Sequence, residues 1–226
     1  MMDITISTPK RKVNQQQIGR LLRIITHVGA WLPLAWLVWQ FQQGQLIDPV
    51  RDIILRTGKL TIILLMLSLA ITPLNKLFGW KQLIPLRRPL GLYAFLYVSL
   101  HLLTFVWLDY GLNWAFIVDG IFEQPYVLVG FTAYLLLIPL AATSTKGAMR
   151  RLGKNWKRLH KLVYLIGILG IIHFFWLVKA YDRPILYGSV MALLLLTRVG
   201  PVGRQLVRWR KSLQQLGKRM PVIGNR

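Results

Sequence analysis

Hydrophobic positions in this chain come in long unbroken runs, with neither the alternation of a half-buried strand nor the three-four spacing of a surface helix. Six runs stand out, at 24–41, 60–78, 89–108, 126–143, 159–178 and 184–199, each bounded by charge, Pro or Gly. A helix needs about 20 mostly apolar residues to cross the hydrocarbon of a bilayer, and these runs approach that length. Pro73 and Pro139 fall inside two of them, as kinks that neighbouring helices can tolerate. The pattern predicts an all-α integral membrane protein, a bundle of six transmembrane helices with short connections and no recognisable internal repeat. Three segments follow: a basic N-terminus over 1–23, the six-helix domain over 24–199 and a basic tail over 200–226.

Composition supports this reading. The 226 residues are 54% hydrophobic and only 16% charged, yet the net charge is +22. A nucleic-acid binder of such charge would concentrate it in polar stretches, so no nucleic-acid partner is expected. The absence of cysteine excludes disulfides, thiolate catalysis, cysteine-ligated iron–sulfur clusters and thioether-attached haem. The first run follows several basic residues but holds Trp31, Trp36 and Trp39 and lacks a small-x-small cleavage site, so it reads as a retained span rather than a signal peptide.

Charge then orients the spans. With the N-terminus, the 75–88 loop, the 144–158 loop together with Lys161, and the C-terminal tail from Arg198 on one side, that side collects 24 of the 29 Lys and Arg. The other side holds six of the seven acids: Asp48, Asp52, Asp109, Asp119, Glu123 and Asp182. The positive-inside rule places both termini in the cytoplasm, and the net charge bears on topology and anionic lipid. In the tail, Leu206, Trp209, Leu213, Leu216 and Met220 share one helical face, with Arg208, Lys211, Gln215 and Lys218 opposite. This predicts an amphipathic helix on the anionic inner leaflet.

Ionisable groups inside a bilayer are costly and point to function. The chain has four histidines, all in or at the edge of spans. At a rise of about 1.5 Å per residue, His101 lies about 18 Å and His173 about 21 Å from the cytoplasmic edge, on helices that both run outward. Two imidazoles at one depth could clamp a metal-bearing ring from both faces, and Gly91, Ala94, Gly167 and Gly170 would leave space for a macrocycle. A pair of core histidines hydrogen-bonded to backbone or to each other is the bland alternative. His160 precedes His173 by 13 residues, about 20 Å along an ideal helix, which suits a second, inner haem; the rotation between them is not tidy and requires a tilt or bend. A symmetrical four-histidine design would place a fourth ligand at Arg87 or Arg88. The inner site is therefore open: His160 with His27, His160 with a weak or non-histidine ligand, or none. Arg87 and Arg88 could instead hold haem propionates.

Several stretches resemble a known family: Leu69-Ala-Ile-Thr-Pro-Leu74, Arg87-Arg-Pro-Leu-Gly-Leu92 with His101 nine residues on, Ala142-Thr-Ser-Thr145, Leu152-Gly-Lys-Asn-Trp-Lys-Arg-Leu-His-Lys-Leu-Val-Tyr164 and Ile172-His-Phe-Phe-Trp176. They are similar to MsrQ (formerly YedZ), haem-binding membrane subunits of bacterial periplasmic methionine-sulfoxide reductase systems. The resemblance implies a ferric-reductase-like transmembrane domain in the bacterial inner membrane with one or two b-type haems, and FMN as a further cofactor. It implies His101, His160 and His173 as haem-iron ligands. It also implies electrons drawn from quinone and passed to MsrP, a periplasmic molybdopterin reductase, so that this chain is the electron-transfer subunit rather than the catalytic one. No residue matches an FMN site. The competing readings are a ferric-reductase or NAD(P)H-oxidase-like protein fed by a separate flavin reductase, since no nucleotide-binding motif is present, and a histidine-relay transporter, disfavoured by the lack of acids inside the spans.

Overall fold

The computed structural model describes residues 15–177 and 182–219. Most of the basic N-terminus, Lys179 and Met220 lie outside the described residues, as do the side chains of Leu213, Leu216 and Lys218.

Among the described residues, ten α-helices make up the fold. The long ones are α1 (Gln15–Gln42), α2 (Pro49–Phe78), α3 (Arg87–Leu103), α5 (Pro125–Ala142) and α8 (Leu162–Leu177). Short α4 (Trp114–Glu123), α6 (Lys146–Leu152) and α7 (Lys154–Leu159) lie in the connections, and α9 (Asp182–Leu196) and α10 (Gly200–Arg219) end the chain. A 3-10 segment, Lys81–Leu86, leads into α3, and a π-helical turn, Thr104–Asp109, leads out of it.

Among the described residues, five segments are long and apolar enough to cross a membrane. The sixth, α9, qualifies only together with α10, from which it is bent by 80°. The expected tail helix thus exists as α10 and turns sharply off the last span. Helix α2 begins eleven residues before the hydropathy boundary. Pro49 suits a first helical position, Asp48 Oδ1 accepts the Arg51 N–H at 3.1 Å, and the Arg56 guanidinium donates to Gln40 Oε1, so the charged stretch is helical despite its polarity. Gly79 ends α2 at φ +74°, where the left-handed region favours glycine.

Four helices close into a ring: α2 packs on α3, α3 on α5, α5 on α8, and α8 back on α2. Leu64, Leu65, Ala94, Tyr97, Ala133, Leu137, Leu140 and Ile166 fill its centre. Outside the ring, α1 is tied to α3 by the buried Tyr97 hydroxyl, which donates to the Ala30 carbonyl at 2.6 Å. On the other flank Met191 of α9 packs with Met66 and Leu69 of α2. Much of the remaining apolar surface is exposed, including Trp31, Leu32, Trp36, Leu186 and Leu193. A soluble protein could not carry that sheath, but lipid solvates it at no cost. The protein is a multi-pass membrane protein.

The orientation can be checked directly. Reporter fusions between Thr145 and Trp156 should register cytoplasm, and fusions at Asp119 periplasm; an inverted pattern would contradict the charge asymmetry of the loops.

Candidate haem-binding site

The ring of α2, α3, α5 and α8 encloses a cavity of about 310 Å³ toward the end that holds α4. Its walls are apolar, from Ile62, Leu65, Val98, Phe131, Leu137 and Ile166 among others, and His101 and His173 face each other across it. Their ring centroids are 6.1 Å apart and their planes are perpendicular, at 89°. The structure thus brings together the pair that helical rise places at one depth.

Each ring is held from behind by a backbone carbonyl. His101 Nδ1 lies 2.9 Å from the Ile54 oxygen of α2, and His173 Nδ1 lies 2.6 Å from the Tyr126 oxygen of α5. A carbonyl can only accept, so both Nδ1 atoms carry the proton and donate it. Each Nε2 is then the bare nitrogen of a neutral imidazole, the tautomer that ligates metal, with the backbone fixing its orientation.

Those carbonyls are inside helices, where each already accepts an N–H four residues on. At both places that residue is a glycine. A Cβ built on Gly58 would lie 3.1 Å from His101 Nδ1, and one on Gly130 only 2.6 Å from His173 Nδ1. The missing side chains let the imidazoles reach the second lone pair of the carbonyls. Ile54, Gly58 and His101 therefore recur as Tyr126, Gly130 and His173, each 72 residues further along. Sequence reading found no repeat because the recurrence is in backbone geometry: isoleucine and tyrosine share nothing but a carbonyl. Thr57, fully buried, also donates to the Ile53 and Ile54 oxygens, at 2.6 and 3.1 Å.

The glycines read from sequence as macrocycle space divide in the structure. Gly170 and Gly167 line the cavity, the latter also receiving Met191. Gly91 instead faces Ser68 of α2, and fully buried Ala94 belongs to the packed core. At the cavity's end α4, unforeseen from sequence, supplies Ile121, while Tyr110 packs on Gly120 and, with Asp109 and Gln124, lines the rim. Asn113 starts this helix by accepting the Ala115 N–H at 3.1 Å.

His160 sits elsewhere, in a break between α7 and α8 at the opposite end of the bundle. Its Nε2 is 3.3 Å from Thr143 Oγ1, and its ring lies 3.9 Å from that of Trp156, whose Nε1 donates to the Thr143 carbonyl. The helix is interrupted at His160, between the end of α7 at Leu159 and the start of α8 at Leu162. His27, exposed on α1, has its Nδ1 2.8 Å from the Tyr93 hydroxyl. Arg87 and Arg88 open α3, about 20 Å along the helix from His101. Both are exposed, and Arg88 holds on α3 the position that His160 holds 72 residues later. Among the described residues no three His, Asp or Glu side chains gather as a metal cage.

The fold is a membrane-spanning ring of helices that presents two metal-competent imidazoles. A family described as "Ferric reductase like transmembrane component" matches residues 57–171. The protein-methionine-sulfoxide reductase heme-binding subunit MsrQ of Xanthomonas campestris pv. campestris (strain 8004) is 52% identical over 181 residues, covering 76% of this chain and 83% of that protein. MsrQ of Bordetella pertussis is 43% identical over 195 residues, covering 84% and 94%. No solved structure matches. The chain belongs to the ferric-reductase-like transmembrane family, within its MsrQ group.

The glycine contacts set an order of sensitivity. Gly130→Ala should lower stability by about 1–3 kcal/mol, the usual cost of overpacking, and Gly58→Ala should cost less, as thermal unfolding in detergent will measure.

Proposed function

We propose that this protein is a membrane electron-transfer subunit that holds b-type haem between His101 and His173. The observation that carries this is the facing pair, each ring with its Nδ1 committed to a carbonyl and its Nε2 left bare. His101 and His173, their ring centroids 6.1 Å apart across the cavity, are the residues that would hold the iron. Two ligands do not hold a bare ion, which takes three or four protein groups. They do suffice for iron already held in a macrocycle, and the apolar cavity between the helices suits such a ring. Haem supplies one-electron chemistry at the iron. The protein's part is to fix both axial nitrogens, keep water from the apolar walls and set the donor strength of each imidazole through its Nδ1–H bond.

The direction of transfer rests on topology and kinship. With the basic loops in the cytoplasm, the His101–His173 site lies toward the periplasmic side of the inner membrane, beneath α4. Electrons drawn from quinone would leave there for a periplasmic molybdopterin partner of the MsrP kind, which repairs oxidised methionine. A hydrocarbon core about 30 Å thick is too wide for one useful hop. His160, at the inner end, is the anchor for a second relay group, with Arg88 or Arg87 across from it. The hydrogen bond of His27 to Tyr93 gives that histidine a partner on the α1 side of α3. FMN enters only through kinship.

Purified protein should be red, with a Soret band that shifts on reduction by dithionite. His101→Ala and His173→Ala should each abolish the low-spin spectrum of the outer site, and His160→Ala should alter absorbance while leaving membrane insertion intact. A colourless preparation from haem-replete cells, or unchanged haem content in both outer variants, would refute the reading.

A further inference from the structure

We infer that the angle between α2 and α10 is a binding site for the phosphate of an anionic glycerophospholipid. A groove there is lined by Lys76 at the end of α2 and by Gly200, Gly203, Arg204, Val207 and Arg208 of α10. Three of these six residues are cations and none is an acid. No partner for them is available nearby: the six acids other than Asp3 belong to the opposite end of the bundle, and Asp3 is outside the described residues. One donor of Lys76 is used, on the Thr197 carbonyl at 3.0 Å. Arg204 and Arg208 are exposed. Gly203 keeps the floor open, since a Cβ there would lie 2.5 Å from Lys76 Nζ.

A second observation points to the same end. Among the described residues, the buried side-chain polar atoms without a hydrogen-bond partner are Thr72 Oγ1, Asn75 Oδ1, Arg198 Nε and Arg210 Nε. All four belong to the last turns of α2, the α9–α10 junction or α10. Buried polar atoms are ordinarily satisfied, so their concentration at one place marks a region built for polar company. The two arginines already serve carbonyls of α2: Arg198 Nη2 donates at 2.6 Å to that of Leu69, whose helical N–H partner is missing because Pro73 stands four residues on, and Arg210 Nη1 donates at 3.1 Å to that of Asn75 in the last turn. With these two engaged on backbone oxygens, Lys76, Arg204 and Arg208 remain for a ligand.

Position selects the ligand. The 80° bend turns α10 away from the last span, into the plane where headgroups lie, with Trp209 exposed. The groove opens at that level and has Val207 beside its cations. A phosphodiester with acyl chains running along the apolar flank of α2 meets both demands, and a soluble anion meets only the first.

The test is native mass spectrometry of the full-length protein in neutral detergent, titrated with phosphatidylglycerol, phosphatidylcholine or inorganic phosphate. Phosphatidylglycerol should bind well before phosphatidylcholine, and inorganic phosphate should not displace it. Arg204→Gln with Arg208→Gln should weaken phosphatidylglycerol binding about 30-fold. Arg20→Gln with Arg23→Gln, which removes the same charge from exposed positions of α1, should leave it unchanged. Equal loss in both double variants would mean diffuse attraction and overturn the site. So would equal binding of the two lipids, or displacement by phosphate alone. Both pairs are surface substitutions, and retention of the wild-type absorbance spectrum verifies the fold.

Discussion

An imidazole inside hydrocarbon must have its N–H satisfied by the protein, because no water is there to accept it. In this bundle the acceptor is a helix backbone oxygen, and that choice governs much of the surrounding architecture. A helical carbonyl is shielded by the residue four positions on, so the ring can reach it only past a glycine. Gly58 and Gly130 therefore have to stand where they do, α3 must lie close on α2 and α8 close on α5, and the two helix pairs must close into one ring for the imidazoles to meet. The same bond that removes the penalty for burying the N–H leaves the other nitrogen free to ligate. Burial and readiness to bind metal thus have a single cause.

Much of this was legible in the sequence. Long apolar runs do not depend on tertiary context, so the spans were readable from hydropathy, and the helical rise was enough to place His101 and His173 at one level. Boundaries were less readable, because charge ends a hydropathy run without ending a helix: Arg51, Asp52, Arg56 and Lys59 all lie within α2. Helix α4 escaped notice because its ten residues are too few for a span, and its role depends on Gly120 receiving Tyr110.

The supports of the two histidines left almost no trace in the sequence. A carbonyl acceptor has no side-chain signature, so Ile54 and Tyr126 could not be singled out, and neither glycine carries a turn signal. Gly91 and Ala94 show the converse error: small residues on the correct helix served helix packing instead of the cavity. At the inner end, Arg88 in the place of a fourth histidine was visible in the sequence. The partners of His160, Thr143 and Trp156, depend on how α5 and α7 meet, which spacing along the chain does not encode.

The recurrence of carbonyl, gap and ring at an interval of 72 residues makes the site modular. Each half carries a complete holder for one imidazole, its own carbonyl and its own glycine gap. The setting of each imidazole is consequently adjustable one side at a time: a substitution that lengthens the Tyr126–His173 bond alters a single ring and leaves the Ile54–His101 bond as it was. Either holder can therefore drift by small steps without a form in which both fail together.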